Sequence, residues 1–459
     1  MNRQWILLLL SAGTAGLANA EDLQTVYDHA LIADPTMQQA AALHMATRET
    51  RTQAILDMLP LNANATKNWN GVAGDTITSP TLANLGLRVN LFSWDNWIAL
   101  KAASSTVAQG EANYQAAQQE LIARVAAQYF AVLNAEDVVA ANETALQSVS
   151  RQLDQAERRY DVGLIAITDV QIARATRDSS AAAVIAAKRT LASAEEQLRA
   201  ITGEKYQRLA KPGDGMPLLS PDPASEDTWV ATALSQNSNL IASRMAADIS
   251  RDSYLTAIGG HLPQINASAS RSWALGSNDV TPAQQALLGV NTQDIVWSVG
   301  VTVPLFSAGA TQSRVRQAKY LWKAASSGYE RSLRQTEQQA RDAYQGVISQ
   351  IAQVGAFKQA VQSNQISLQA TEAGYEVGTK TAIDVLTARQ QLVQAQTNYA
   401  QAKYSYLNNI VALRQAAGNL DRSTITLING WLVEQPPAEN STPPAAAPAA
   451  AAPATPASP

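Results

Sequence analysis

Ionisable and hydrogen-bonding residues gather at two places in this sequence, each around a Val-Gly dipeptide. Gln152 precedes Val162-Gly163-Leu164, and Thr168 and Asp169 follow it; Glu372 and Tyr375 precede Val377-Gly378-Thr379, and Lys380 and Asp384 follow it. Such side chains can form ion pairs and charge-assisted hydrogen bonds. Asp169 and Asp384 also fall in the first turn of expected helices, where the helix dipole favours a carboxylate by ~0.3 to 1 kcal/mol. Lys380 reads equally as an exposed turn residue, since a surface ion pair contributes only ~0 to 1 kcal/mol. Nothing extends this chemistry to catalysis. His29, His44 and His261 do not form H-E-x-x-H or another ligand spacing, and the chain has no Walker A loop, no G-x-S-x-G and no G-x-G-x-x-G. No catalytic residue, metal or cofactor is expected.

The elements that position these residues are marked by proline. There is none between Pro80 and Pro212, or between Pro304 and Pro436. Both gaps are rich in Ala, Gln, Leu, Arg and Glu, which are good helix formers. Heptads run through them: Val347, Val354, Val361, Leu368 and Tyr375, then Leu386, Val393, Ala400 and Leu407, and a 3,4 stepping from Val184 through Ala187, Leu191, Ala194 and Leu198 to Ile201. Such seams pack helix on helix. Each gap breaks once, at Gly163 and at Gly378, residues suited to the left-handed turn that ends a helix. Thr168-x-x-Gln171 reads as a capping box that starts the next helix. Each gap is therefore a long helical hairpin, and an arm of ~60 residues would reach about 90 Å.

Strands lie outside the gaps. Leu85, Leu87, Val89 and Leu91 alternate with Asn84, Gly86, Arg88 and Asn90; Trp297, Val299, Val301, Val303 and Leu305 alternate with Ser298, Gly300 and Thr302. This is the period of outer-membrane strands of ~9 to 11 residues. Trp69, Trp94, Trp97, Trp273 and Trp297 fall near strand ends, as an interfacial aromatic girdle would. A soluble β-sandwich with core tryptophans is the alternative.

The chain repeats itself. Tyr160-Asp-Val-Gly163 with Asp169-Val170 recurs as Tyr375-Glu-Val-Gly378 with Asp384-Val385, and the same offset of 215 pairs Tyr129 with Tyr344, Arg174 with Arg389 and Gly203 with Gly418. Leu91-Phe-Ser93 pairs with Leu305-Phe-Ser307 and Leu59-Pro60 with Leu262-Pro263. The expected organisation is a signal peptide over 1–20, a first repeat over 21–203, a linker over 204–228, a second repeat over 229–420, a closing segment over 421–434 and a tail over 435–459. Each repeat holds a helix, two strands (about 61–70 and 84–93, then about 264–273 and 295–306) and a hairpin (about 94–203, then about 308–420). Four strands cannot close a membrane barrel, which needs ~8, and open edges in lipid leave backbone groups unpaired. Several copies must share one barrel. Two give the minimum; three give twelve strands and room for a lumen.

Arg3, the apolar run from Ile6 to Leu10 and Ala18-Asn19-Ala20 read as an export signal cut before Glu21, with an uncleaved anchor as the alternative. The chain has no cysteine, so it has no disulfides and no lipid-anchoring residue at position 21. A net charge of −4 gives no sign of nucleic-acid binding. No later segment offers the ~20 apolar residues of a membrane helix, which leaves a β-barrel as the way to span a bilayer. The tail after Gln435, nearly all Pro, Ala, Ser and Thr, cannot build a core.

Tyr129-Phe-Ala-Val-Leu-Asn-Ala-Glu-Asp137, Arg151-Gln-Leu-Asp-Gln155, Val162 to Gln171 and Glu372 to Leu386 resemble the TolC-type outer-membrane efflux and secretion channels, over essentially all of the chain from Glu21 to about residue 430. The resemblance implies a mixed α and β membrane protein: a homotrimer with a twelve-stranded β-barrel in outer-membrane lipid and a periplasmic α-helical tunnel. It implies export of drugs, detergents or proteins with periplasmic adaptors and inner-membrane pumps of RND, ABC or MFS type. It also places the tunnel's closing links on Gln152, Thr168, Asp169, Glu372, Tyr375 and Lys380, and an acidic constriction ring on Asp384. Two residues depart from the family pattern. Lys380 replaces an arginine and loses the bidentate fork. Thr387 replaces a second acid, which would leave three acids in a trimer rather than six. A periplasmic adaptor, with its own helical hairpin, is the alternative function, and a structural coiled-coil protein of the envelope a third.

Overall fold

A computed structural model of the chain describes residues 20–58, 61–66, 69–72, 75–78, 81–213, 215–275 and 295–433. The signal segment before Ala20, the tail from 435, and residues 276–294 between the strands expected over about 264–273 and 295–306 lie outside these. In chain order the first half runs α1 (Leu23–Ala33), α2 (Pro35–Leu56), β1 (Leu61–Thr66), β2 (Trp69–Val72), β3 (Asp75–Thr78), β4 (Thr81–Phe92), α3 (Trp94–Asp161) and α4 (Ile167–Thr202). After β5 (Lys211–Pro212) come α5 (Glu226–Gln236), α6 (Ser238–Gly259), β6 (Gln264–Leu275), β7 (Val296–Thr302), α7 (Ala310–Glu376), α8 (Ala382–Ala417), α9 (Arg422–Asn429) and β8 (Leu432–Val433).

Helix lengths match between the halves. α1 and α5 each have 11 residues, α2 and α6 22, and α4 and α8 36, while α3 has 68 and α7 67. At 1.5 Å per residue α3 is about 100 Å long. The arms of each hairpin are thus unequal, because α3 and α7 continue past their mates to meet the strands. The single helix expected ahead of each strand pair is two helices. Asp34 and Asn237 take extended backbone, and each caps the next helix through its side chain, at Met37 N and Leu240 N.

The main sheet is antiparallel in the order β1-β4-β6-β7. The strand expected over about 61–70 is divided. β1 joins this sheet, while β2 pairs with β3 as a separate two-stranded ribbon. Four residues whose pairing partner follows directly in the chain satisfy their own backbone locally.

Register sorts the sheet into two faces. Asn64, Asn84 and Ser272 lie opposite one another, as do Ser268 and Ser298; Leu87, Ala269 and Trp297 stack on the other side, beside Val89, Ala267 and Val299. On the polar face Asn84 donates to Ser272 at 3.0 Å, and the Ser268 and Ser298 hydroxyls are 2.7 Å apart. On the apolar face Trp297, Val299 and Val301 are 78%, 71% and 61% exposed. Trp94 does not belong to a girdle of exposed tryptophans: its indole N–H donates to Leu255 O at 3.0 Å and docks the start of α3 on α6.

The core lies at mid-height of the long helices. Leu121, Val125, Tyr129, Phe130 and Leu133 of α3 pack with Tyr406 and Leu407 of α8, Leu23 and Val26 of α1, and Ile425 and Ile428 of α9. Each such side chain contributes about 1.5 to 3 kcal/mol of burial. Tyr129 ties this core to the linker and to the segment before α1 by donating to Ala210 O at 2.7 Å and Glu21 O at 3.1 Å. Beside it, Lys211 Nζ meets Asp137 at 2.9 Å and Glu136 at 3.1 Å, and Tyr404 donates to Asp137 at 2.7 Å. Burial pushes the Glu136 carboxyl up despite Lys211. Burial also works against the Lys211 charge, yet Asp137 and Glu136 hold it above the ordinary lysine value.

Candidate functional site at the hairpin tips

Away from the core the apolar burial between the helices thins. Of the second-half heptad, Val347 and Val354 are buried, while Val361, Leu368 and Tyr375 are only half-buried. At the end of the first hairpin the apolar contact shrinks to Leu153, Ala156 and Val170.

Both tips end their first arm in the same way. Gly163 and Gly378 have φ of +74° and +81°. Leu164 N donates to Arg159 O and Gly163 N to Tyr160 O, each at 2.8 Å; Thr379 N donates to Gly374 O at 2.8 Å and Gly378 N to Tyr375 O at 3.2 Å. This is the paired closure that a glycine in the left-handed region permits.

The second arms start differently. α8 opens with a reciprocal cap: Asp384 N donates to Thr381 Oγ1 at 3.3 Å, while Asp384 Oδ2 accepts from Thr381 N at 2.8 Å and from Thr381 Oγ1 at 2.9 Å. The Thr381 backbone N–H, with its hydroxyl and the nearby Lys380 charge, holds the exposed Asp384 carboxyl below the ordinary aspartate value. α4 has no such cap. Its N-cap is Ala166, whose methyl cannot accept, and Asp169 N bonds only to Ala166 O at 3.1 Å. The capping box expected at Thr168 is not formed, because Thr168 lies inside the first turn of a helix that begins at Ile167.

A matching ion pair clasps each hairpin. Arg174 on α4 bonds Glu157 on α3 at 2.9 Å, and Arg389 on α8 bonds Glu372 on α7. The second clasp is the more enclosed, with Arg389 16% exposed against 49% for Arg174. Glu157 and Arg159 escape a reading confined to the turn motifs. The recurrence of a Glu and Arg pair 17 residues apart, at the repeat offset, was the signal for the first.

At the tips the two hairpins meet at Tyr375. The Arg159 guanidinium lies over its ring, 5.3 Å from the centroid, within the range of a cation–π attraction. Around it an open polar cavity of about 500 Å³ is lined by α3, α7 and α8, and it brings Gln152, Glu372 and Tyr375 together. Asp169 and Gln152 border a smaller gap facing Ala382 and Leu386. Thr168 and Lys380 are exposed, and Lys380 N donates to Gly374 O at 3.1 Å.

A family model described as outer membrane efflux protein matches residues 26–204 and 229–419. The chain is 34% identical over 430 residues to outer membrane protein TolC of Vibrio cholerae, covering 93% of this chain and 98% of that relative. It is 26% identical over 416 residues to the alkaline protease secretion protein AprF of Pseudomonas aeruginosa, covering 88% and 85%. Its fold matches the crystal structure of the outer membrane protein VceC of Vibrio cholerae with a TM-score of 0.73 at 21% identity, over 87% of this chain and 97% of that one.

Proposed function

The chain belongs to the outer membrane efflux protein family, and from that premise we propose that three copies assemble into one duct, with the hairpin tips as its periplasmic gate. It is an outer-membrane channel, a transporter rather than an enzyme, that exports cargo together with inner-membrane partners. The observation that carries the trimer is the open sheet. Among the described residues β1 and β7 are edges with unpaired backbone groups, and one sheet face is apolar while the other is polar. In lipid an open edge costs several kcal/mol per unsatisfied group. Pairing β7 of one copy with β1 of the next closes twelve strands, apolar face to lipid and polar face to the lumen. The helical hairpins then continue the lumen into the periplasm.

Small molecules and proteins are both proposed as cargo. The AprF relative, named for protease secretion, supports the second. Inner-membrane pumps of RND, ABC or MFS type, joined through periplasmic adaptors, supply the energy.

At the tips, Lys380 or Tyr375 linked to Asp169, with Gln152, Thr168 and Glu372 beside them, holds the duct closed, and Asp384 rings the constriction. Solvated links contribute a total of ~1.5 to 3 kcal/mol over three copies, small enough for a docking partner to overcome. Detergent-extracted protein should have the mass of three chains; a monomer or dimer would rule the assembly out. In planar bilayers, Tyr375→Phe with Lys380→Ser should raise single-channel conductance. Wild-type conductance in correctly assembled trimers of that variant would remove the gate assignment.

A further inference from the structure

The cavity between the tips carries more positive charge than its neighbours neutralise. Arg151, Arg158 and Arg159 of α3 and Arg389 of α8 line it, against Glu372 and Glu376 of α7. Glu372 is taken by Arg389. Arg159 faces a ring rather than a carboxylate. Among the described residues, neither Arg151 nor Arg158 has a carboxylate oxygen within 4.0 Å. Glu376 is the one lining carboxylate left to face three arginines. A second observation is independent of this charge count: among the described residues, the buried Arg389 Nη1 has no hydrogen-bond partner. Buried donors are almost always satisfied, so an orphaned guanidinium N–H calls for an acceptor.

We propose that this cavity is a binding site for a small multivalent oxyanion of the phosphate class, and that the bound anion latches the two hairpins together. Arginine presents five donors in a fixed fork that matches such an anion, and charge-assisted bonds of this type are about twice as strong as neutral ones. A volume of about 500 Å³ leaves room for the anion together with bridging water. Arg389 reaches it from α8, already fixed by Glu372, while Arg151 and Arg158 reach it from α3. An anion shared by α3 and α8 therefore joins the first hairpin to the second, as the Arg159 and Tyr375 contact does nearby. The latch role rests on the channel reading given above; the binding site does not.

The test uses the full-length protein in detergent, with inorganic phosphate as the probe. Isothermal titration at constant ionic strength should show saturable binding. Arg151→Gln and Arg158→Gln, both exposed and without carboxylate partners, should each weaken it about tenfold. Arg389→Gln should weaken it further, and Lys188→Gln, on α4 away from the cavity, should leave it unchanged. In bilayers the same phosphate range should lower the conductance of the wild type, and do so less in Arg151→Gln with Arg158→Gln. Linear, unsaturable phosphate heats in a protein that still conducts would overturn the site, as would equal binding by the double variant. Saturable binding that the arginine changes abolish, in a protein that never conducts, would uphold the site and count against the channel reading instead.

Discussion

The two hairpin tips stop alike and restart differently. Gly163 and Gly378 close α3 and α7 with the same pair of backbone bonds. At the next junction Ala166 stands where the repeat places Thr381, so α4 begins on backbone bonds alone while α8 begins with a reciprocal side-chain cap. Stopping a helix is a geometric demand that one residue type meets best, so both copies of the repeat answer it in the same way. Starting one is a smaller energetic preference, and the two copies have diverged there. The difference reaches the acids. Asp384 commits one oxygen to Thr381, whereas Asp169 accepts from no backbone cap of its own helix. Asp169 is therefore the acid better placed to bind outside its own turn.

The clasps give the largest contrast between the tips. Glu372→Gln leaves the enclosed Arg389 guanidinium without its counter-charge and should weaken the second tip by about 1 to 3 kcal/mol. Glu157→Gln, facing the more exposed Arg174, should weaken the first tip by only ~0.2 to 1 kcal/mol. Amide hydrogen exchange around Val377 and Val162 measures both, and equal losses would erase the contrast.

The caps should show a smaller and reciprocal effect. Thr381→Ala should cost the start of α8 about 1 kcal/mol. Ala166→Thr should slow exchange in the first turn of α4 by a similar factor, if that cap is absent for want of an acceptor rather than because of backbone geometry.

Acid should give the smallest effect. The Asp384 carboxyl lies below its unfolded value, so its stabilising contribution is complete above that value and is lost as pH falls through the lower, folded one. Exchange protection at the start of α8 should therefore decline in acid, below the ordinary aspartate value of ~3.9. Protection at the start of α8 that stayed level through that range would argue that the Thr381 and Asp384 cap does not supply it.

Much of the fold was legible because it rests on local rules. The proline-free stretches contain α3, α4, α7 and α8, and Gly163 and Gly378 mark their turns. Val347 and Val354 face the core as their heptad requires. The expectation failed at Thr168, where a correct spacing pattern lies one residue inside the helix, since capping motifs do not fix which residue leaves helical backbone first. Contacts between the hairpins were illegible. Arg159 over Tyr375 joins residues 216 apart in the chain, and no local periodicity relates them. The cavity beside them is likewise a product of how two rods lie together, not of either rod's own pattern.

The matched helix lengths make the reach of this duct a stepped quantity. One residue added midway along α3 would turn everything beyond it by ~100° and swing its apolar stripe off the seam. Seven would restore the stripe but push that tip about 10 Å past its neighbours. Only seven residues added at the same height in all four arms would leave the tips level. The depth to which the duct reaches is thus written four times in one gene, and it can change only when all four arms change together.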